Sequence, residues 1–187
     1  MIAKRRRERR AQPPLSFARP AVQTLELPLP HLPSEWRDLI SSGVSHRLGG
    51  CTRDGHPAVA RALAAEVLDD GRLRVLLDRK AGREVVRAIE QTAQVALAMA
   101  QPSTHRTLHL KGRDATLAPA GPELQPLLAE RCESFVREIE RFGFDRETVA
   151  KFWYDVPDGD LVAVTFSIAG AWDQTPGPGA GQPVELL

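Results

Sequence analysis

The sequence is short of cysteine, of net charge and of long apolar runs, and each shortage removes a class of protein. Cys51 and Cys132 are the only cysteines in 187 residues. They are too few and too far apart for a disulfide framework, and no CxxC or Cys/His cluster offers zinc a site. A reducing cytoplasm is therefore the expected location. Twenty-five basic against 24 acidic residues leave a net charge of +1, so no global field draws the protein to nucleic acid or to a membrane surface. No stretch approaches the roughly 18 apolar residues that a membrane-spanning helix needs. No apolar h-region follows the basic start to make an export signal, so a retained, soluble protein is expected. No catalytic triad, carboxylate pair or internal repeat stands out.

What is present suits one globular domain: 42% of residues are hydrophobic and 26% charged, enough apolar material for a single core. Three parts are expected. Residues 1–33 form a basic, Pro-rich arm, with six cations and one carboxylate in the first ten residues followed by Pro13, Pro14, Pro20, Pro28, Pro30 and Pro33, a composition that opposes regular structure. Residues 34–173 form the folded domain. Residues 174–187 form a Pro/Gly-rich tail, unsuited to helix or central strand. The arm carries no interleaved aromatics on which bases could stack. Nucleic acid is thus not an expected partner.

The domain reads as strands with inserted helices. A strand over 43–52 meets Asp54-Gly55, a hairpin signal. The next, over 58–68, carries Val59, Arg61, Leu63 and Val67 on one face and ends at Asp69-Asp70-Gly71. A third strand covers 73–77. The period then changes, with Val85, Val86 and Ile89 on one face of a helix over 79–91. Strands return at 95–101 and at 107–117, where Leu108 and Leu110 alternate with Thr107, His109 and Lys111. Residues 122–142 carry the longest helical stripe, from Leu124 through Phe135 to Phe142. Asp145 caps another helix, bearing Val149, Phe152 and Trp153, that Pro157 ends. A last strand, 161–169, puts Val162, Val164, Phe166 and Ile168 on one face. The expectation is α+β, a six-stranded antiparallel barrel with three inserted helices.

The most informative segment is Asp78-Arg79-Lys80-Ala81-Gly82-Arg83, where a strand hands over to a helix. Free N–H groups and the positive end of a helix dipole favour an anion there, and two cations add charge-assisted hydrogen bonds, so a phosphate fits. A solvated turn capped by Asp78 fits as well. Arg61, on an apolar face, needs an anion or acceptors; a phosphate would satisfy it, and so would Glu66 or Glu84. Thr104-His105-Arg106-Thr107 adds polar groups before a strand in which Gly112 allows close approach.

The run from Val59 to Leu117, with Arg61, then Arg79-Lys80-Ala81 opening a helix, Val95-Ala96-Leu97, and His105-Arg106-Thr107-Leu108-His109-Leu110-Lys111-Gly112, resembles the flavin-binding core of the pyridoxamine 5′-phosphate oxidase-like family. The ending Trp172-Asp173-Gln174 through Gly181 is similar to an oxidase-related subgroup. The resemblance implies a split β-barrel homodimer with FMN in two clefts between subunits. It implies cofactor contacts from Arg61, Leu63, Arg79, Lys80, Arg106 and Thr107, with Arg61, Arg79 and Lys80 on the phosphate. Two departures matter: Thr107 replaces a frequent Gln near the flavin ring, and Glu66 replaces a second phosphate-binding Lys, a charge reversal that weakens phosphate binding. No C-terminal Arg-x-His pattern is present, so pyridoxamine-phosphate oxidation itself is not expected.

The expected activity is FMN-dependent oxidation or reduction of a small molecule. The alternative is a non-catalytic carrier of flavin, deazaflavin F420 or haem on the same fold. A flavin supplies its own redox chemistry, so a missing triad does not argue against an enzyme. His46, His105 and His109 are candidate proton donors or iron ligands, or ordinary strand residues. Cys132 falls on an apolar helix stripe, Cys51 near a turn as a free thiol. Trp172 is placed to stack on a ring or to pack at a dimer interface.

Overall fold

The structure is a computed structural model and describes residues 31–154 and 160–187. The arm up to residue 30 and the helix stop at Pro157 lie outside the described residues.

The fold is mixed α+β, with two antiparallel sheets. In chain order the elements are α1 (Ser34–Ser41), β1 (Ser45–Cys51), β2 (Pro57–Ala62), β3 (Ala64–Val67), β4 (Leu73–Asp78), α2 (Arg83–Thr92), β5 (Val95–Ala100), β6 (Thr107–Gly112) and β7 (Thr116–Pro119), then, after a single 3₁₀ turn, α3 (Gln125–Glu140), α4 (Arg146–Tyr154), β8 (Leu161–Phe166), β9 (Gly170–Asp173) and β10 (Gln182–Pro183). One sheet has the order β10-β9-β6-β5-β1-β2, the other β3-β4-β8-β7.

The expected six strands are corrected to ten among the described residues, because two segments read as single strands each serve both sheets and two short strands, β9 and β10, follow the last expected one. The 58–68 strand breaks at Leu63. Ala62 pairs with His46 in the first sheet, while Ala64 pairs with Leu76 in the second. Likewise 107–117 divides into β6 and β7, and 161–169 ends as β8 before β9 crosses back to pair with β6. Periodicity alone does not register such a crossing, since hydrophobic alternation continues through the bend.

Both hairpin signals form as expected. Gly55 (φ 89°) donates to Thr52 O at 2.9 Å, and Gly71 (φ 84°) to Leu68 O at 2.9 Å, angles that glycine adopts without steric cost. The core lies between the sheets. Leu48, Leu97, Leu108 and Leu110 from one sheet meet Val75, Leu77, Val162, Val164 and Phe166 from the other, each such burial worth roughly 1.5–3 kcal/mol. α2 seals one side with Val85, Val86 and Ile89, and stops at Ala93, which takes a left-handed φ of 55° and donates to Ile89 O.

α1 was not expected. Trp36, Leu39 and Ile40, an i, i+3, i+4 stripe directly after Pro33, bury into the core, and that spacing was the signal available for it. Residues after Gln174 stay with the domain: Val184 and Leu186 pack on the core, and Leu187 exchanges backbone hydrogen bonds with His31 at 2.8 and 2.9 Å.

Candidate functional site

Side chains at one register level of an antiparallel sheet share a face, and the pairing of the six-stranded sheet aligns Arg61, Arg47, Ala98, His109 and Trp172 across β2, β1, β5, β6 and β9. The neighbouring level on that face is Val59, Gly49, Ala96, Lys111 and Gly170. This is the face away from the core. It is paved with small residues and carries a basic and aromatic fringe. Val59 is 71% exposed on it. The expectation that Val59 shares an apolar inward face with Leu63 is therefore corrected: the bend at Leu63, itself buried, reverses the facing of the strand.

Arg61 stands on the outer face beside α4. Its guanidinium lies 4.9 Å from the Trp153 ring and 5.7 Å from that of Phe152, and Nη1 donates to Phe152 O at 3.2 Å. That carbonyl belongs to the last turn of α4, where the helix dipole favours a cation. Neither Glu66 nor Glu84 is its partner there. Glu66 instead pairs with Arg74 at 2.9 Å, so the charge reversal read from the sequence is matched by a neighbouring arginine.

Arg79 and Lys80 follow β4 and lead into α2. Asp78 does act locally, its Oδ1 accepting from Lys80 N (2.8 Å) and Ala81 N (3.0 Å). The helix proper begins later than expected, with Gly82 at the N-cap and no side chain capping the first-turn N–H groups. Gly82 lies over β2: a Cβ placed on it would sit 3.7 Å from Ala60 Cβ, so the open helix end adjoins the strand that carries Arg61. Arg79 Nε meets Asp160 Oδ1 at 3.1 Å, and among the described residues its Nη groups make no hydrogen bond. Asp160, 81 residues away in sequence, had no local signal to mark it.

Arg106 and Thr107 occupy another patch. The Arg106 guanidinium stacks over Trp36 at 5.1 Å. Thr107 donates from N to Thr175 Oγ1 (3.1 Å) and from Oγ1 to His105 O (2.9 Å). It faces the same side as Arg61 but three strands away, about 14 Å at ~4.8 Å per strand. One chain does not bring the six expected residues together.

Of the histidines, His46 is buried facing the core. Its Nε2 has no hydrogen-bond partner among the described residues, and burial, with the charges of Arg131 and Arg47, pushes its pKa down to about 3. It is neutral and structural. His105 is exposed in a left-handed turn (φ 57°). His109 lies on the outer face, its ring 6.2 Å from Trp172, and burial and Lys111 lower its pKa. Beside it, Lys111 Nζ sits 5.0 Å over the Trp172 ring. A cavity of about 430 Å³ opens on this face, lined by Gly49, Gly50, Cys51, Ala96, Lys111 and Arg113 among others. Cys132 is half-buried and burial raises its pKa, which leaves it an unreactive thiol.

No protein-family model matches the chain, and no curated protein matches it. Solved structures do. HupZ of Group A Streptococcus is 14% identical, the match covering 80% of this chain and 99% of that one at a TM-score of 0.49. A pyridoxamine 5′-phosphate oxidase-related, FMN-binding protein from Nostoc punctiforme is 18% identical over 76% of this chain and 80% of that one, TM-score 0.41. HutZ, the haem storage protein from Vibrio cholerae, is 18% identical over 76% and 94%, TM-score 0.44. The chain resembles pyridoxamine 5′-phosphate oxidase-like proteins. Among the described residues no helix is long and apolar enough to cross a membrane, and no group of three His, Cys, Asp or Glu side chains could hold a metal ion.

Proposed function

We propose that the chain is an FMN-binding split-barrel protein that acts as a homodimeric oxidoreductase on a small molecule. The observation that carries this reading is the uncapped start of α2, entered through Arg79 and Lys80 and resting on the edge strand β2 at Ala60, next in sequence to Arg61. A phosphate suits such a place, because first-turn N–H groups, the helix dipole and guanidinium forks all favour a dianion. Asp160 is the competitor to be displaced, and an exposed pair of this kind is worth only about 0–1 kcal/mol.

The bound flavin would supply the hydride or electron acceptor. Positioning falls to the protein. The outer face of the six-stranded sheet, with Ala96, Ala98 and Gly49 between its cationic fringes, gives a flat floor for a planar ring. Arg106 and Thr107 lie three strands from Arg61, so in this reading they meet the flavin away from its phosphate, and a second copy completes the cleft. Leu63 supports the bend that aims Arg61 outward. FMN against riboflavin, which lacks the phosphate, tests the proposal: preference for FMN that depends on Arg79 and Lys80 is expected, and equal affinity for the two would remove it.

A second reading, haem carriage, is favoured by one observation. His109 stands on the outer face of the six-stranded sheet beside Trp172, where an imidazole could ligate iron. Haem retained by the wild type and lost on His109→Ala would favour it.

A further inference from the structure

The cavity of about 430 Å³ on the outer face of the six-stranded sheet lies at the end where β1 and β6 finish and β2 and β5 begin. Its volume falls within the range of small-molecule sites, roughly 300–1,000 Å³. The floor is Gly49 and Ala96, paired in register, so no side chain longer than a methyl group rises from it. A Cβ on Gly49 would meet only backbone oxygens, Ala58 O at 3.4 Å and Ala96 O at 3.8 Å, so the space above it is open. Cys51 and Gln94 border this floor.

Its charge is of one sign. Lys111 and Arg113 line it, and no Asp or Glu among the described residues does. Lys111 Nζ lies 5.0 Å over the Trp172 ring and, like Arg113, makes no hydrogen bond or ion pair among the described residues. The acid next in sequence is engaged elsewhere, Asp114 Oδ1 accepting from Ser167 N at 2.8 Å. The strand end that carries both cations is also held in place. Gly112, between them, packs so close to Phe166 that a Cβ would lie 2.4 Å from its ring. Lys111 O accepts from Ala169 N at 2.8 Å, and Ala115 N donates to Ala93 O at 3.0 Å. Two residues apart, the backbones of Lys111 and Arg113 stand about 7 Å from each other at ~3.4 Å per residue. Two cations so spaced, with no acid beside them, match two carboxylates on a short rigid frame better than a single anionic group.

We infer that this cavity binds a small, flat dicarboxylate, one carboxylate at Lys111 and the other at Arg113, with its body over Gly49 and Ala96. The binding assignment stands on the cavity itself; only the identification of this ligand as the flavin's substrate rests on the function proposed above.

Calorimetric titration of the full-length protein with isophthalate, benzoate and neutral benzamide tests the inference, together with mass spectrometry of Cys51 alkylation by N-ethylmaleimide. Isophthalate should bind about tenfold tighter than benzoate or more, the scale of one charge-assisted hydrogen bond, and benzamide should bind weakest. Isophthalate should also slow alkylation at Cys51 and leave that at Cys132 unchanged. Lys111→Gln and Arg113→Gln should each reduce isophthalate to the affinity of benzoate, whereas Gly49→Val fills the floor and should abolish binding with both cations in place. Benzoate binding as tight as that of isophthalate, binding unchanged in Lys111→Gln/Arg113→Gln, Cys51 alkylation indifferent to isophthalate, or no binding at all would overturn the inference. So would loss of FMN in Lys111→Gln/Arg113→Gln with FMN retained in Arg79→Ala/Lys80→Ala, because the cavity would then hold the cofactor's phosphate. Isophthalate binding that persists when Arg79→Ala/Lys80→Ala has lost FMN supports this site, and isophthalate binding in a protein that takes no FMN would defeat the cofactor reading alone.

Discussion

Replacing Arg79 and Lys80 together with alanine removes the two cations that lead into α2. Each contact to a phosphate would contribute roughly 1.5–3 kcal/mol as a charge-assisted hydrogen bond. Arg79 first has to leave Asp160, and with the two side chains 37% and 55% exposed that costs about 0–1 kcal/mol. Adjacent residues on one anion need not be additive, so the double substitution should cost roughly 2–4 kcal/mol, about 30- to 700-fold in the dissociation constant of FMN. The first-turn N–H groups of α2 remain, so binding should be weakened rather than abolished. Riboflavin affinity should change little. Without cofactor, loss of the exposed Arg79–Asp160 pair should move the melting temperature by no more than about 2–4 °C. Fluorescence quenching of the flavin measures both affinities directly. An unchanged FMN-to-riboflavin ratio in the double variant would return the segment to a solvated turn organised by Asp78.

Gly112→Ala should destabilise the protein by about 1–3 kcal/mol in urea melts, because the new Cβ would lie 2.4 Å from Phe166 Cδ2 in the buried core; a wild-type midpoint would show that the sheets are not packed this closely. His46 binds its proton less tightly folded than unfolded, so stability is full above about pH 6.5 and falls as pH drops toward about 3, by up to ~1.4 kcal/mol per pH unit. His46→Leu should flatten that slope, and an unaltered pH dependence would assign it to other groups. Light scattering should report a dimer, and dilution that dissociates it should release the flavin; a flavin-loaded monomer would contradict the shared cleft.

Much of the fold was legible because its signals are local. Asp54-Gly55 and Asp70-Gly71 make their turns through their own backbone, and Val85, Val86 and Ile89 mark α2 by spacing alone. Asp145 caps α4, with Thr148 N donating to its carboxylate at 2.8 Å. What stayed hidden is the work of distant segments. The bend at Leu63 sits within an unbroken alternation, so nothing nearby announces that Arg61 and Val59 turn outward. Asp160 reaches Arg79, and Trp153 reaches Arg61 and Arg47, only once the chain has closed. Arg47 was within reach of pattern reading, since Ser45, Arg47 and Gly49 alternate with His46 and Leu48 along β1. The phosphate candidates were legible as chemistry, but their separation from Arg106 and Thr107 is a property of sheet order.

The central claim is tested most directly by the visible spectrum of the purified protein, with mass identification of whatever denaturation releases. The account predicts a flavin spectrum and released FMN at one per chain, either as purified or after incubation with FMN. A protein that releases haem or a deazaflavin, or that takes up no FMN when it is supplied, would contradict it.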